Sequence, residues 1–159
     1  MIKQKKFDDI LTRAYKRMHR YTCAEASLQA LLELWDLPID SYSWATAGYL
    51  GAIGSGNTTC GLLIGSSIAI GFQCGQEMQG VPEENEDARE KAIQTINEVY
   101  SEFLEKFGST DCKTINKVDF RNGEEISKWM TQKGWKQTCD LFLNFTMRKC
   151  LSMMEDGKL

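Results

Sequence analysis

Hydrophobic positions along the chain recur mainly at intervals of three and four, the spacing of helices that bury one face. Phe7, Ile10, Leu11, Ala14 and Met18 stand among Lys, Arg and Asp and predict an amphipathic first helix. Thr22 followed by Glu25 reads as a capping box opening a second helix, with Leu28, Leu31, Leu32 and Trp35 inward and Pro38 as its stop. Residues 40–49 predict a short helix leading into a Gly-rich loop at Gly48, Gly51, Gly54 and Gly56. An apolar helix then runs from Thr59 to about Phe72. Pro82 and the acidic residues Glu83, Glu84, Glu86 and Asp87 suit the start of the next helix. Its stripe is Ile93, Ile96, Tyr100, Phe103 and Phe107, and Gly108 is its C-terminal cap. Glu124 to Gln132 reads as helical, and Thr138 opens a last helix with Leu141, Phe142, Phe145 and Leu151 inward. The expected architecture is all-α: a compact bundle of about seven helices in a single domain spanning residues 1–159.

One stretch breaks the amphipathic rule. From Ser41 to Gln76 there is no charged side chain, and Gly61, Gly65 and Ala69 fall four apart on one helix face. Glycine costs a helix about 1 kcal/mol relative to alanine, so a face this rich in it is expected to lie against another backbone. Cys60 would then sit at that helix's N-terminal mouth. The same face leaves a homodimer, packed across a subunit interface, as an open alternative.

Totals change the picture little, except for cysteine. The chain of 159 residues carries a net charge of −3, 42% hydrophobic and 26% charged residues, the profile of an ordinary globular domain. That charge gives no reason to expect nucleic acid or an anionic membrane as a partner. The basic N-terminus lacks the apolar core of a secretory signal, and the apolar run after Cys60 is too short to span a bilayer. A soluble, cytoplasmic protein with no membrane insertion is expected. Six cysteines in a reducing compartment favour metal or redox chemistry over structural disulfides.

Four of the six share a setting. Cys23 follows Thr22, Cys60 follows Thr59, Cys112 follows Asp111 and Cys139 follows Thr138, each predecessor a residue type that caps helices. Thiols in the first turn of a helix face unpaired N–H groups and the positive end of the dipole, which favours the thiolate. Cys74 and Cys150 fall near helix C-termini and read as small core hydrophobes. The four are separated by 37, 52 and 27 positions without a C-x-x-C, so any site has to be assembled by the tertiary fold.

The order Cys23, then Thr59-Cys60-Gly61 with Gly65 and Gly71, then Phe107-Gly108-Ser109 ahead of Cys112, then Cys139, resembles the small bacterial family named for its C-GCAxxG-C-C pattern. The resemblance runs from about Tyr21 to Cys139. Two positions depart from the motif: its Gly before the second cysteine is Thr59 here, and its Ala is Gly61. Members are described as redox-active proteins, and the same domain in split-Soret cytochrome c is associated with a non-haem iron–sulfur cluster. The resemblance implies Cys23, Cys60, Cys112 and Cys139 as ligands of an iron–sulfur cluster, with Gly61 and Gly65 beside it. An oxidoreductase or electron-transfer protein is the implied partner. A role in electron transfer or redox sensing fits better than turnover of a substrate. Three alternatives stay open: a metal-free thiol–disulfide oxidoreductase, a four-cysteine structural zinc site, and a helical interaction module without metal. The Gly loop before Thr59 lacks the Lys of a phosphate-binding loop, though its amides are placed to donate to cluster sulfurs if the loop lies beside the site. His19 reads as surface polar, Trp129 and Trp135 as core or surface filler, and Met153-Met154 as an exposed tail.

Overall fold

The computed structural model describes residues 4–159. Among them the secondary structure is helical, with no strand beyond one isolated bridge. Six helices are nine residues or longer: α1 (Gln4–Arg20), α2 (Cys23–Leu34), α5 (Gly61–Gly75), α6 (Glu86–Phe107), α8 (Gly123–Thr131) and α9 (Cys139–Glu155). Three are short: α3 (Ile39–Tyr42), α4 (Tyr49–Gly54) and α7 (Cys112–Asn116). Single turns of 3₁₀ helix occupy Ser43–Thr46, Pro82–Glu84 and Gly134–Lys136. No helix among the described residues is long and apolar enough to cross a membrane.

Helix α2 lies at the centre, against α1 on one side and α5 on another, and α9 reaches α1, α2, α5 and α6. Their inward faces meet in one hydrophobic cluster that includes Phe7, Leu31, Leu63, Phe103, Leu143 and Met147, all fully buried. The rings of Phe103 and Phe107 on α6 meet those of Phe142 and Phe145 on α9 at centroid separations of 4.7–5.9 Å. Lys149 of α9 ties the same pair together through Glu98 and Glu102 at 2.7 and 2.6 Å.

The glycine face of α5 is spent on α2. A Cβ on Gly65 would run into the Ser27 hydroxyl and the Ala24 carbonyl, and would lie 2.9 Å from the backbone nitrogen of Leu28. On Gly61 it would strike Cys23 Sγ, and would lie 2.7 Å from the Tyr49 ring and 3.1 Å from the Ala24 nitrogen. The backbone approach expected from the sequence is therefore made within the chain.

Several local expectations are corrected. The Gly-rich stretch is mostly the short helix α4 rather than a loop, because Gly51, Ser55 and Gly56 donate to the carbonyls of Gly48, Ala52 and Ile53. Those amides are spent locally and are not free for cluster sulfurs. Helix α2 stops before Pro38 because Asp36 adopts a left-handed conformation (φ 56°) and Leu37 donates back to the Leu32 carbonyl at 2.8 Å. Pro82 starts a separate 3₁₀ turn, and α6 begins at Glu86. On α6 the buried face turns toward Thr95, Val99 and Phe103 and leaves Ile93 exposed. On α9 Leu141 faces outward, while Leu143, Met147 and Met153 are buried. A stripe read from large residues alone misses buried small or polar positions such as Thr95 and Thr146.

The contrast between two glycines of α5 is testable by thermal unfolding. Gly65→Ala meets backbone that cannot step aside and is expected to cost about 1–3 kcal/mol, lowering Tm by several degrees. Gly71→Ala, with nothing within 4 Å of the added methyl, is expected to raise stability by up to about 1 kcal/mol through helix propensity. Equal shifts for the two would contradict the close crossing.

Candidate functional site: four thiols at helix starts

All four singled-out cysteines stand where a helix begins. Cys23, Cys112 and Cys139 are the first residues of α2, α7 and α9, and Cys60 is the residue that caps α5. Local chemistry sets each start. Thr22 and Glu25 form the reciprocal box: Glu25 donates its backbone N–H to Thr22 Oγ1 at 3.2 Å, and Thr22 donates its own to Glu25 Oε2 at 2.9 Å. Asp111 accepts from the backbone N–H of Thr114 at 2.7 Å and opens α7. Thr138 makes no cap of this kind; its hydroxyl donates instead to Asn116 Oδ1 at 2.6 Å.

Two of the four starts are latched together. Thr59 and Asp111 form an antiparallel bridge in which Cys60 donates its N–H to the Thr110 carbonyl at 2.7 Å. Cys112 donates to the Thr58 carbonyl at 2.9 Å. Tyr49 braces this latch by donating its hydroxyl to the Thr59 carbonyl, and it meets the Thr58 hydroxyl at 2.9 Å. Cys23 is brought in by the α2–α5 crossing, where its sulfur lies over Gly61. Cys139 is brought in by Asn116, whose Oδ1 accepts from Cys139 Sγ at 3.4 Å while its Nδ2 reaches Cys112 Sγ at 3.6 Å. Asn116 is buried and also donates to the Cys112 carbonyl at 3.0 Å.

The thiols sense one another. Burial pushes the Cys23 thiol far up, and the charges of Cys139 and Cys112 push it further, against the N–H groups of Ala24 and Cys23. Cys60 is raised by burial and then by Cys23 and Cys139, with the Leu62 N–H acting the other way. Cys112 rises to about 11 through burial, with Asn116 opposing, and Cys139 rises to about 12 through burial, with Thr138 opposing. Backbone N–H groups at the helix starts lower Cys23, Cys60 and Cys139, as the sequence suggests, but burial outweighs them. The expectation of a favoured thiolate is thus reversed for the metal-free site. Tyr49 is raised as well, by burial and then by Cys23, Cys112 and Cys60, which places its phenol beside the group.

Cys74 and Cys150 stand apart. Cys150 is fully buried in the hydrophobic cluster, and burial raises it to about 12. Cys74 sits half-buried in the last turn of α5 against the same cluster. All six cysteines are free thiols.

Cys23, Cys112 and Cys139 open into a cavity of about 440 Å³. Three residues on its wall were underrated in the sequence: His19, Trp129 and Trp135. His19 stands edge-on to Trp135 at 5.5 Å, and its Nε2 is 3.4 Å from Asp140 Oδ1. Trp135 in turn meets Trp129 at 6.0 Å, and Trp129 meets Phe120 at 5.4 Å. His19 and Trp129 lie in the last turns of α1 and α8, and Trp135 lies in a single 3₁₀ turn, so their meeting depends on how these chain ends converge and not on any repeating face. Asn116 and Tyr49 lie in helices of five and six residues, too short to show a repeating face.

Four thiols are the donor set of [2Fe–2S] and [4Fe–4S] clusters and of structural zinc. Among the described residues, no group of three or more His, Cys, Asp or Glu side chains is arranged around a single metal ion. A single ion needs all its sulfurs about 2.3 Å from one point, whereas a cluster distributes them over several irons. The donor types and number are those of a cluster and of a four-cysteine zinc site alike.

No curated protein and no solved structure matches the chain. A family model does, over residues 21–153, with the description "Putative redox-active protein (C_GCAxxG_C_C)". The matched span holds all four helix-start thiols, Gly61, Gly65 and Asn116, and on that match the chain belongs to the C_GCAxxG_C_C family of redox-active proteins.

Proposed function

We propose that Cys23, Cys60, Cys112 and Cys139 hold an iron–sulfur cluster and that the protein passes single electrons to, or senses the redox state of, a partner oxidoreductase. The observation carrying this reading is the convergence of four helix starts on four neighbouring, buried or half-buried thiols whose ionisation burial and one another's charge oppose at Cys23 and Cys60. Four neighbouring thiolates need positive charge that the chain itself does not bring. Helix starts supply part of it, and iron would supply the rest together with one-electron chemistry. The N–H groups of Ala24 and Leu62 already approach Cys23 and Cys60 and would favour their anionic, ligating form. Asn116 would hold Cys112 and Cys139 in place. Gly61 leaves room for the Cys23 sulfur, which any side chain there would displace.

The metal-free alternative asks one of these thiols to act as a nucleophile. A catalytic thiol of that kind is normally lowered to near neutrality or below, whereas these four are all raised. This is what ranks the cluster first.

Protein purified without oxygen is expected to be coloured, to contain iron and inorganic sulfide, and to bleach with dithionite. Ser at any one of positions 23, 60, 112 or 139 should abolish retention of iron, while Cys74→Ala and Cys150→Ala should keep it. Colourless, iron-free protein after anaerobic reconstitution would sink the proposal.

The raised thiols also predict a pH dependence for the iron-free protein. The unfolded chain releases its thiol protons from about pH 8.5, whereas the folded chain holds them to about 11 at Cys112 and about 12 at Cys139. The folded state therefore binds more protons in that window. Stability is whole below it and falls as pH rises through it, by up to about 1.4 kcal/mol per pH unit for each thiol. Urea midpoints should drop between pH 8 and 9.5, and less steeply in Cys112→Ser. Flat midpoints would show that the thiols are not shielded as described.

A further inference from the structure

A second cleft, sharing no residue with the cavity at the thiols, runs between the end of α6 and the first three turns of α9. Its volume of about 420 Å³ falls in the range of about 300–1,000 Å³ typical of small-molecule sites. Phe107, Phe145 and Leu141 supply its apolar surface, and Leu141 is 56% exposed. No Asp or Glu lines it, whereas Lys106, Arg148 and Lys149 all do. That gathering of positive charge runs against the chain as a whole, whose net charge is −3.

The three cations are not equivalent. Lys149 is neutralised by Glu98 and Glu102 at 2.7 and 2.6 Å. Lys106 and Arg148 form no ion pair among the described residues. The Lys106 ammonium rests over the rings of Phe145 and Phe107, 5.0 and 5.8 Å from their centroids, which holds its charge at the apolar surface. Arg148 is anchored at its base. Its Nε donates to Asn144 Oδ1 at 3.0 Å, and its guanidinium carbon lies 5.2 Å from the centroid of the Phe7 ring. These contacts fix the guanidinium plane and leave its forked end exposed, in the geometry that meets a carboxylate through two parallel hydrogen bonds. Asn144, the one neutral polar side chain of the lining, is spent, because its Nδ2 donates to the Tyr15 hydroxyl at 3.2 Å. The cleft thus offers donors for the two oxygens of a carboxylate, and not the fuller set that the oxygens of a phosphate take. A protein interface takes about 20–30 residues a side, far more than line this cleft, so its occupant is a small molecule.

We propose that the α6–α9 cleft binds a small carboxylate carried on an apolar body. The carboxylate sits on the fork of Arg148 with the charge of Lys106 beside it, and the body lies over Phe107, Phe145 and Leu141. The site is independent of what the thiols hold.

Equilibrium dialysis with cinnamate, and with cinnamamide as its neutral counterpart of the same shape, tests it. Dialysis is run on iron-free protein kept reduced and on protein purified without oxygen. Cinnamate is expected to bind saturably at one site per chain, equally in both forms and more tightly than cinnamamide, and to weaken as salt is raised. Arg148→Gln and Lys106→Gln, both at exposed positions, should each weaken cinnamate about fivefold and leave cinnamamide unchanged. Lys91→Gln, an exposed cation of α6 outside the cleft, should change neither. Leu141→Asn should weaken both compounds, and inorganic phosphate at the same concentration should not displace cinnamate. Absence of saturable binding, equal affinity for acid and amide, indifference to both cation substitutions, or displacement by phosphate would each overturn the proposal. Loss of cinnamate binding on iron loading would overturn it too, by tying the cleft to the thiols. If iron is never found yet cinnamate binds with this dependence on Arg148 and Lys106, the cluster reading fails and the carboxylate site stands.

Discussion

The arrangement rests on a backbone-to-backbone contact between two helices. Gly61 and Gly65 let α5 settle against the start of α2, where Ala24 and Leu28 offer only main chain. Without that approach Cys23 and Cys60 would be held apart by at least one side chain. The other elements elaborate on this crossing. Helices α1, α6 and α9 cover the outer faces of the pair and bury its leucines. The chain that returns through α7 and α9 adds Cys112 and Cys139 at the open end.

A tension between two electrostatic effects runs through the site. Helix starts favour anions, and four of them meet here. Burial opposes anions and, with the mutual repulsion of the sulfurs, prevails over the helix ends. A site built this way keeps its thiols protonated at neutral pH.

What the sequence made legible follows from local rules. The capping box at Thr22 and Glu25, the amphipathic first helix, the Gly108 terminus and the small-residue face of α5 are each decided within a few residues, and each is found in the structure. The position of all four cysteines at helix starts was readable for the same reason. What escaped depends on neighbours far along the chain. Thr59 pairs with Asp111 across 52 positions, and Asn116 joins Cys112 to Cys139 only once α9 has folded back. Trp129 and Trp135 gain their meaning from the cavity they face, and His19 from Trp135 and Asp140. The reversal at the thiols was hidden too, since desolvation is a property of the whole fold.

The small bridge at Thr59 and Asp111 divides the four sulfurs mechanically. Cys60 and Cys112 hang from two strands of main chain that are bonded to each other, so a pull on one is shared by both. Cys139 heads α9, and its sulfur meets Asn116 and Thr138. Cys60 and Cys112 thus form one braced pair, Cys23 is set by the α2–α5 crossing, and Cys139 comes from a third element, α9. Because α9 also contacts α1, α2, α5 and α6, Cys139 stands at the head of the helix that touches most of the bundle.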